Sequence, residues 1–591
     1  MQLTGTGIRS RRAISFFASL VASGALMSGM CQELIGVNFA QNAVAQDRLK
    51  LDKESDSDSA VAESTDPVLI VSIASLNKLM QDINYLTAIV GQPQAGGMFT
   101  MMAGGFAQGL DVSRPIGVIV PVVEGAFEPI GMIPTADAAA MLKRLEGQIG
   151  PVDKLDDGTM VVSVGPSLVY IRQEGDWALV ARQKELLDAV SDDPAVLLED
   201  LGDNYTLSAR LYVQEVPEAM RDGLIAQLRQ GFEQAMAKQG QGEGVQQASE
   251  NSIKQIEQLI RESAELMVGW NINPVEKNVT VESEFIAADG TELAAVYAGQ
   301  TAMASKFASV INDANALFYH TAATIAPVVI ERTRESIDNA KTMVKKAIDD
   351  SNDMDDNAKT QVNELAVSFI NVLMKTIEEG KLDIGSKIEA DDEQFNFSSG
   401  MLVSDGTEVA TLVKDLAGKL KNEPKAPTFK FDEETYKGVS LHSVIIDIPA
   451  NAEEARQIFG EQAIVKIGTA AKAVYFAMGT ESGKSIKKFI DGPAESSVPD
   501  DRPLGQMQVQ LLPFLLFAQT VKPNDVVASM VDILSQDNET DYVSIEVEPV
   551  ENGQSSILEI GEGILKAIGA GVREGQAQQM KAMQQQGNGQ F

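Results

Sequence analysis

The sequence predicts an α+β fold in which small antiparallel sheets, built from hairpins, pack with long amphipathic helices in tandem-duplicated modules. The first observation behind this is a repeat. Residues 285–294 read FIAADGTELA and residues 401–410 read MLVSDGTEVA, 116 positions apart. The same offset places Leu266, Val268, Gly269, Ile272, Val279 and Val281 on Leu382, Ile384, Gly385, Ile388, Phe395 and Phe397. A weaker third copy puts Pro549-Val550-Glu551-Asn552 where Pro274-Val275-Glu276-Lys277 stand, and Glu562-Gly563 in place of Asp289-Gly290. The second observation is alternation. Leu266–Ile272 and Val279–Phe285 alternate roughly between apolar and polar residues, the period of a half-buried strand. Pro274 to Asn278 makes a turn between them. The third observation is helical spacing of apolar residues upstream of each copy. Ile253, Ile256, Leu259 and Ile260 share one helix face, as do Val362, Leu365, Phe369, Leu373 and Ile377, with Gly380 as a stop.

Within the repeated unit, Asp289-Gly290 ends the second strand, because Gly accepts positive φ and Asp favours turns. Thr291 then caps a helix, with Glu292 at its positive end. Asp289 and Asp405 could be read as paired carboxylates or metal ligands. The Asp-Gly-Thr-Glu order is also ordinary turn and cap chemistry, and that is the reading adopted.

A chain of 591 residues is too long for one core. Arg9, Arg11 and Arg12 precede an apolar run from Ala13 to Met30, and Ala43-Val44-Ala45 offers a cleavage site before Gln46. Residues 1–45 therefore read as an export signal; Ser10-Arg11-Arg12 partly matches a twin-arginine signal. Ser28-Gly29-Met30 before Cys31 is a poor lipidation box. Residues 46–66 read as an acidic disordered linker, 67–305 as a first α+β module, and 306–425 as a helix-rich middle segment carrying the repeated hairpin. A second α+β module spans 426–574, and 575–591 form a Gln-rich disordered tail. The exported chain would hold no cysteine, and its charge moves from −36 to −38 as three basic residues and Glu33 leave. Such a surface argues against nucleic acid and anionic lipid as partners.

Taken in order, Pro67–Ile73 is strand-like. Gly96–Leu110, with Met98, Met101 and Met102, could be a mobile lid or a membrane-touching loop; a buried helix or loop is the reading adopted. Ile116–Val123 and Ile130–Ile133 form a hairpin, followed by a helix over Ala138–Leu145. Val161–Val164, Val169–Arg172 and Trp177–Val180 are strands, with Lys184–Val190 as a helix after them. Leu207–Val213 is a strand leading into a helical hairpin, whose loop is Gln239–Gln247. Ala316–Thr321 is a strand, and Val328–Ile348 and Ala358–Ile377 are long helices. Pro424–Phe431 resembles a linker. Val439–Ile448 and Ala473–Phe476 are strands, and Ser485–Ile490 begins a helix. Met507–Phe517 is the most apolar run after the signal; too short to span a membrane and broken by Pro513, it reads as core.

Three constellations approach known chemistry. Met478-Gly-Thr-Glu-Ser-Gly-Lys-Ser485 would be a phosphate-cradling loop if Met478 were Gly; a turn and helix cap is the simpler reading. Asp353, Asp355, Asn357 and Glu364 approach a calcium loop, although Ala358 replaces the Gly of the sharp bend; calcium is the one cofactor the residues suggest. His320 and His442 lie in apolar strand-like runs and read as packed strand histidines; a Ser-His-Asp triad stays open, although no Gly-x-Ser-x-Gly elbow accompanies it. No residue stands out as catalytic. The Arg-led leader, the Ala-Val-Ala site and the acidic body resemble large secreted proteins of planctomycete genomes. That resemblance implies an exported bacterial protein and no activity.

The function expected is a non-enzymatic binding or structural protein of the periplasm, cell envelope or extracellular space, holding an apolar ligand between helices and sheet. The partners expected are a cell-envelope protein or an apolar small molecule, with no integral membrane span in the exported chain. Two alternatives stay open: a secreted hydrolase using a carboxylate pair, and a calcium-dependent adhesin-like protein.

Overall fold

The computed structural model describes residues 64–190, 193–239, 243–312, 314–349, 356–420, 427–492, 502–536 and 539–587. The fold is α+β, dominated by one antiparallel sheet. The first eleven strands are β1 (Ser64–Ile73), β2 (Ile116–Val123), β3 (Ala126–Phe127), β4 (Ile130–Pro134), β5 (Val152–Lys154), β6 (Met160–Val164), β7 (Ser167–Glu174), β8 (Trp177–Ala181), β9 (Leu207–Tyr212), β10 (Ser263–Asn273) and β11 (Asn278–Ala287). The remainder are β12 (Leu317–Thr324), β13 (Lys381–Ala390), β14 (Phe395–Leu402), β15 (Thr428–Tyr436), β16 (Val439–Asp447), β17 (Gln462–Ala470), β18 (Ala473–Gly479), β19 (Gly505–Gln510), β20 (Tyr542–Val550) and β21 (Gly553–Gly561).

Their pairings trace one path. From one edge it runs β5-β6-β7-β8-β4-β2-β1-β9-β10-β11. It crosses from β11 to β21 and continues β20-β19-β12-β13-β14-β18-β17-β16-β15. The short β3 adds only to the end of β2. Among the described strands, β5 and β15 each have one neighbour, so the pairings leave two edges. Helices enter both runs at matching places. In the first run they follow β1 (Leu76–Ile89, Pro93–Phe106), β4 (Ala138–Ile149), β8 (Pro194–Asn204), β9 (Glu218–Gln239, Glu243–Glu262) and β11 (Glu292–Ala298). In the second they follow β12 (Pro327–Asp349, Asp356–Glu378), β14 (Gly406–Leu420), β18 (Ser482–Ile490), β19 (Leu511–Val521, Asp525–Leu534) and β21 (Glu562–Gly587). Glu453–Phe459, between β16 and β17, has no helical counterpart between β6 and β7.

One sheet face carries the main cores. Ile70, Ile119, Ile130, Met132, Leu179 and Met267 pack with Leu198 and Leu201 of the helix Pro194–Asn204. Val439, Leu441 and Ala477 pack with Ile486 of the helix Ser482–Ile490. The repeated glycines make room for rings on this face. A Cβ at Gly269 would strike the Tyr205 ring at 2.3 Å, and one at Gly385 would meet Phe307 Cβ at 2.5 Å.

Both Asp-Gly corners follow the second strand of a hairpin and open a helix. At the first, Gly290 has φ +74° and Thr291 caps, accepting from Ala294 N–H at 3.1 Å. At the second, Asp405 itself caps, accepting from Thr407 N–H at 2.8 Å. The two hairpins sit at different places in the sheet order, and the pairing of β13 with β14 is shifted two residues from that of β10 with β11.

Four expectations change. Pro93–Phe106 is a helix, but Met98, Met101, Met102 and Phe106 are 56–74% exposed rather than buried. Met507–Phe517 divides into β19 and a helix with no fully buried side chain; Pro513 is tolerated in the helix's first turn, where its missing N–H costs nothing. That helix starts on Asp541, which accepts from Leu511 N–H (3.0 Å) and Leu512 N–H (2.7 Å); burial pushes its carboxyl up to about 6. The linker-like stretch contributes β15 from Thr428 onward, and the helix from Glu562 runs through Gly587 into the supposed tail.

Candidate functional site

Among the described residues, the sequence-singled polar groups resolve into local structure. Asp353 and Asp355 lie outside the described residues. Asn357 falls in the first turn of the helix Asp356–Glu378, and Glu364 is exposed further along it, paired with Lys419 at 3.1 Å. Asp289 accepts from Asn552 Nδ2 at 2.7 Å. At Gly479-Thr-Glu-Ser-Gly-Lys484, Glu481 N–H donates to Asn396 Oδ1 at 2.8 Å, and Lys484 is an exposed partner of Glu481. No described group of three or more His, Cys, Asp or Glu could hold a metal ion.

His442 is buried, with Nδ1 accepting from Asp432 N–H (3.0 Å) and Nε2 3.1 Å from Thr469 Oγ1. His320 belongs to a buried cluster the sequence did not reveal. Ser305 Oγ donates to Asp383 Oδ1 at 2.7 Å and accepts from Phe307 N–H at 2.9 Å. Lys306 N–H donates to Asp383 Oδ2 at 2.8 Å. Since the one serine proton goes to Asp383, His320 Nε2, 2.9 Å from Ser305 Oγ, must be the donor there. A nucleophile needs the reverse order, with the imidazole accepting from serine. Ser305, His320 and Asp383 are at most 1% exposed, so a substrate has no approach. The cluster ties the loop at 305–307 to β12 and β13.

Burial, reinforced by the charge of Arg502, holds His320 down to about 4 against 6.5 for a free imidazole. Between those pH values the unfolded chain takes a proton that the folded chain refuses, so this residue's effect is to lower stability as pH falls from about 6.5 to about 4. Relative to the parent, His320→Gln should therefore gain about 2–3 kcal/mol between pH 7 and pH 4.5. Denaturant unfolding at the two pH values reads this directly, and a constant difference would refute it.

The less ordinary feature is the other face of the central strands. The registers Trp270↔Leu207, Val268↔Ala209, Ala209↔Val71 and Trp270↔Val281 place these side chains on one surface. It is apolar yet open: Val268 is 51% exposed, Leu207 43% and Trp270 37%, although they lie on interior strands. The opening is bounded along β10. At one end Leu266 is covered by Leu293 of the helix Glu292–Ala298, together with Phe285 and Tyr297. At the other, Ile272 is 2% exposed, and its carbonyl accepts from Lys78 Nζ at 3.4 Å.

Lys78 belongs to the helix Leu76–Ile89, which polar groups anchor at both ends. Lys78 Nζ reaches Asp82 (2.9 Å) and Asn271 (3.1 Å), and Thr206 Oγ1 donates to Asp82 at 2.6 Å. Toward its other end, Tyr85 hydroxyl donates to Glu562, and Arg573 donates to Val90 carbonyl at 2.7 Å. Between these anchors, Leu79, Met80, Ile83 and Leu86 are all half-buried; the one fully buried side chain of the helix is Asp82. The matching place in the second run is filled. There Val329 and Ile330, from the helix after β12, pack on Ile384, Ile545 and Val547.

A second opening, a cleft of about 180 Å³ lined by Asn312, Asn315, Lys387, Glu389 and Lys488, is polar and smaller than the ~300 Å³ at which ligand pockets begin. Sequence reading missed the apolar opening because strand pairing brings Leu207, Trp270 and Val281 together. One signal was present: Leu266-Met-Val-Gly-Trp270 is apolar on both faces of its strand.

No family model matches the chain, and no curated protein matches it. The solved structure titled crystal form III of TP0453 overlaps 38% of this chain and 78% of its own, at 5% identity and a TM-score of 0.21. A likeness at that level carries no argument.

Proposed function

We propose that the chain is an exported, non-enzymatic binding protein that holds an apolar ligand against the sheet, between the helices Leu76–Ile89 and Glu292–Ala298. The observation carrying this is the open apolar floor of Leu207, Val268 and Trp270 in the interior of the sheet. Burying an aliphatic side chain of this kind is worth about 1.5–3 kcal/mol, so a bare patch here forgoes stability that a ligand would restore. Aliphatic and aromatic walls with few polar groups suit a hydrocarbon chain or fused-ring molecule.

We also infer that the chain is a tandem duplication of one ten-strand module. Matching strand orders and matching helix insertions support it. So does the seam: Glu282 pairs with Ile557, and these differ by the same 275 positions as Pro274 and Pro549 of the echoed turns. Pairing between equivalent residues is what a two-fold axis between two copies produces. On this reading residues 306–425 open the second copy. The adhesin reading rests on residues of which two are not described, and no observation favours it.

The neutral fluorophore N-phenyl-1-naphthylamine tests the binding reading. The parent chain should bind it saturably, and Val268→Glu should weaken binding at least about tenfold, since a charge in an apolar site costs more than 1.4 kcal/mol. Val275→Glu, at a turn position 90% exposed, should bind as the parent does. Equal binding by all three, or none by the parent, would reject the proposal.

A further inference from the structure

The helix Pro93–Phe106 presents an apolar stripe to solvent. Met98, Met101, Met102 and Phe106 recur at helical spacing and are 60%, 74%, 60% and 56% exposed. The opposite face is fixed to the protein. A Cβ at Gly96 would lie 2.3 Å from Thr87 Oγ1 and 2.6 Å from Asn84 Oδ1, and Asn84 Nδ2 donates to Thr100 Oγ1 at 2.7 Å. The stripe is therefore held outward by close packing behind it. Gly97, Gly104 and Gly105 face open space, so a Cβ there would meet nothing within 4 Å.

Charge narrows the occupant. From Ile83 to Leu110 the chain carries no Asp, Glu, Lys or Arg, in a protein with 22% charged residues. A groove for a charged peptide would need complementary charge, and this stripe has none. Area narrows it further. Four side chains of about 200 Å² each, little more than half exposed, offer on the order of 500 Å², short of the ~800 Å² per partner of a stable protein interface. Flexible methionines beside bare glycines suit a fluid apolar medium better than a fixed protein surface. At 14 residues the helix is about 21 Å long and cannot span a bilayer. Lying in the plane of the interface, its stripe would enter about 5–10 Å.

We propose that Pro93–Phe106 is a lipid-surface contact, seating Met98, Met101, Met102 and Phe106 in the interface of an electrically neutral bilayer. Arg573 at one end of the helix is engaged by Val90, and Asp111 lies beyond the other, so the surroundings add no attraction for anionic headgroups. The chain's net charge of −36 opposes them.

The test places an indole at the most exposed position. The full chain carrying Met101→Trp, with the parent as blank, is mixed with phosphatidylcholine vesicles and with vesicles of phosphatidylcholine brominated in the acyl chains. The expected result is a blue shift of the introduced indole and at least twofold quenching by the brominated lipid, both unchanged between 0.15 and 1 M salt. An emission unaltered by vesicles overturns the proposal. So does an indole already blue-shifted without lipid, which would mean that a second copy, or another part of the chain, covers the stripe. Neither result bears on fluorophore binding at Val268, so the two proposals fail separately.

Discussion

Gly553→Val is expected to destabilise the fold by at least about 4 kcal/mol, a size reached only when a mutation breaks something structural. A Cβ at Gly553 would stand 1.9 Å from the carbonyl oxygen of Phe285 and 2.9 Å from its carbon. Both are backbone atoms that cannot swing aside. The site is the pairing Ile286↔Gly553, the last of nine registered pairs from Asn278↔Gly561 onward. Among the described strands, this is the pairing that joins the two runs of the sheet. Parting it releases ladder hydrogen bonds worth about 0.5–1.5 kcal/mol each and loosens the packing around Phe285, 2% exposed between Leu266 and Tyr297. Equilibrium unfolding in urea measures the loss. A change below 1 kcal/mol would show that the seam yields without cost and that the runs are not locked there.

Asp383→Ala should cost about 3–5 kcal/mol, because it removes the shared acceptor from a buried polar cluster. The Ser305 hydroxyl and the Lys306 N–H would both lose their acceptor, and Ser305 is fully buried, with no solvent to replace it. Asp289→Ala is the counterpart in the repeated corner. There the carboxylate meets Asn552 at an exposed site, and the loss should stay below about 1 kcal/mol. Urea unfolding of the two variants side by side separates a buried clamp from a surface turn. Near-equal losses would contradict the placement of both residues.

The hairpins at 263–287 and 381–402 were legible because alternation, turn residues and caps are local signals. Thr291 caps its helix as Asp-Gly-Thr-Glu suggests, whereas in the second copy the cap is Asp405, two positions earlier than the corresponding Thr407. The sheet order was not legible. β11 takes β21 as its neighbour across some 275 positions, and nothing local in either strand names the other. The cluster of Ser305, His320 and Asp383 was hidden for the same reason, since its hydrogen bonds span 15 and 78 positions. Pro93–Phe106 misled in another way. Its methionines read as core filling, but apolar composition does not say what covers a segment. The floor at Val268 and Trp270 shows the same limit, because alternation says which residues share a face of the strand, not whether that face is covered.

The most direct measurement is organic extraction of the natively purified chain, with mass spectrometry of the extract and quantification per mole of protein. The account predicts at least one apolar molecule per chain in the parent and a several-fold smaller amount in Val268→Glu at equal folded fraction. An empty extract from the parent, together with no saturable binding of the neutral fluorophore, would contradict it: the open floor between Leu76–Ile89 and Glu292–Ala298 would then hold nothing.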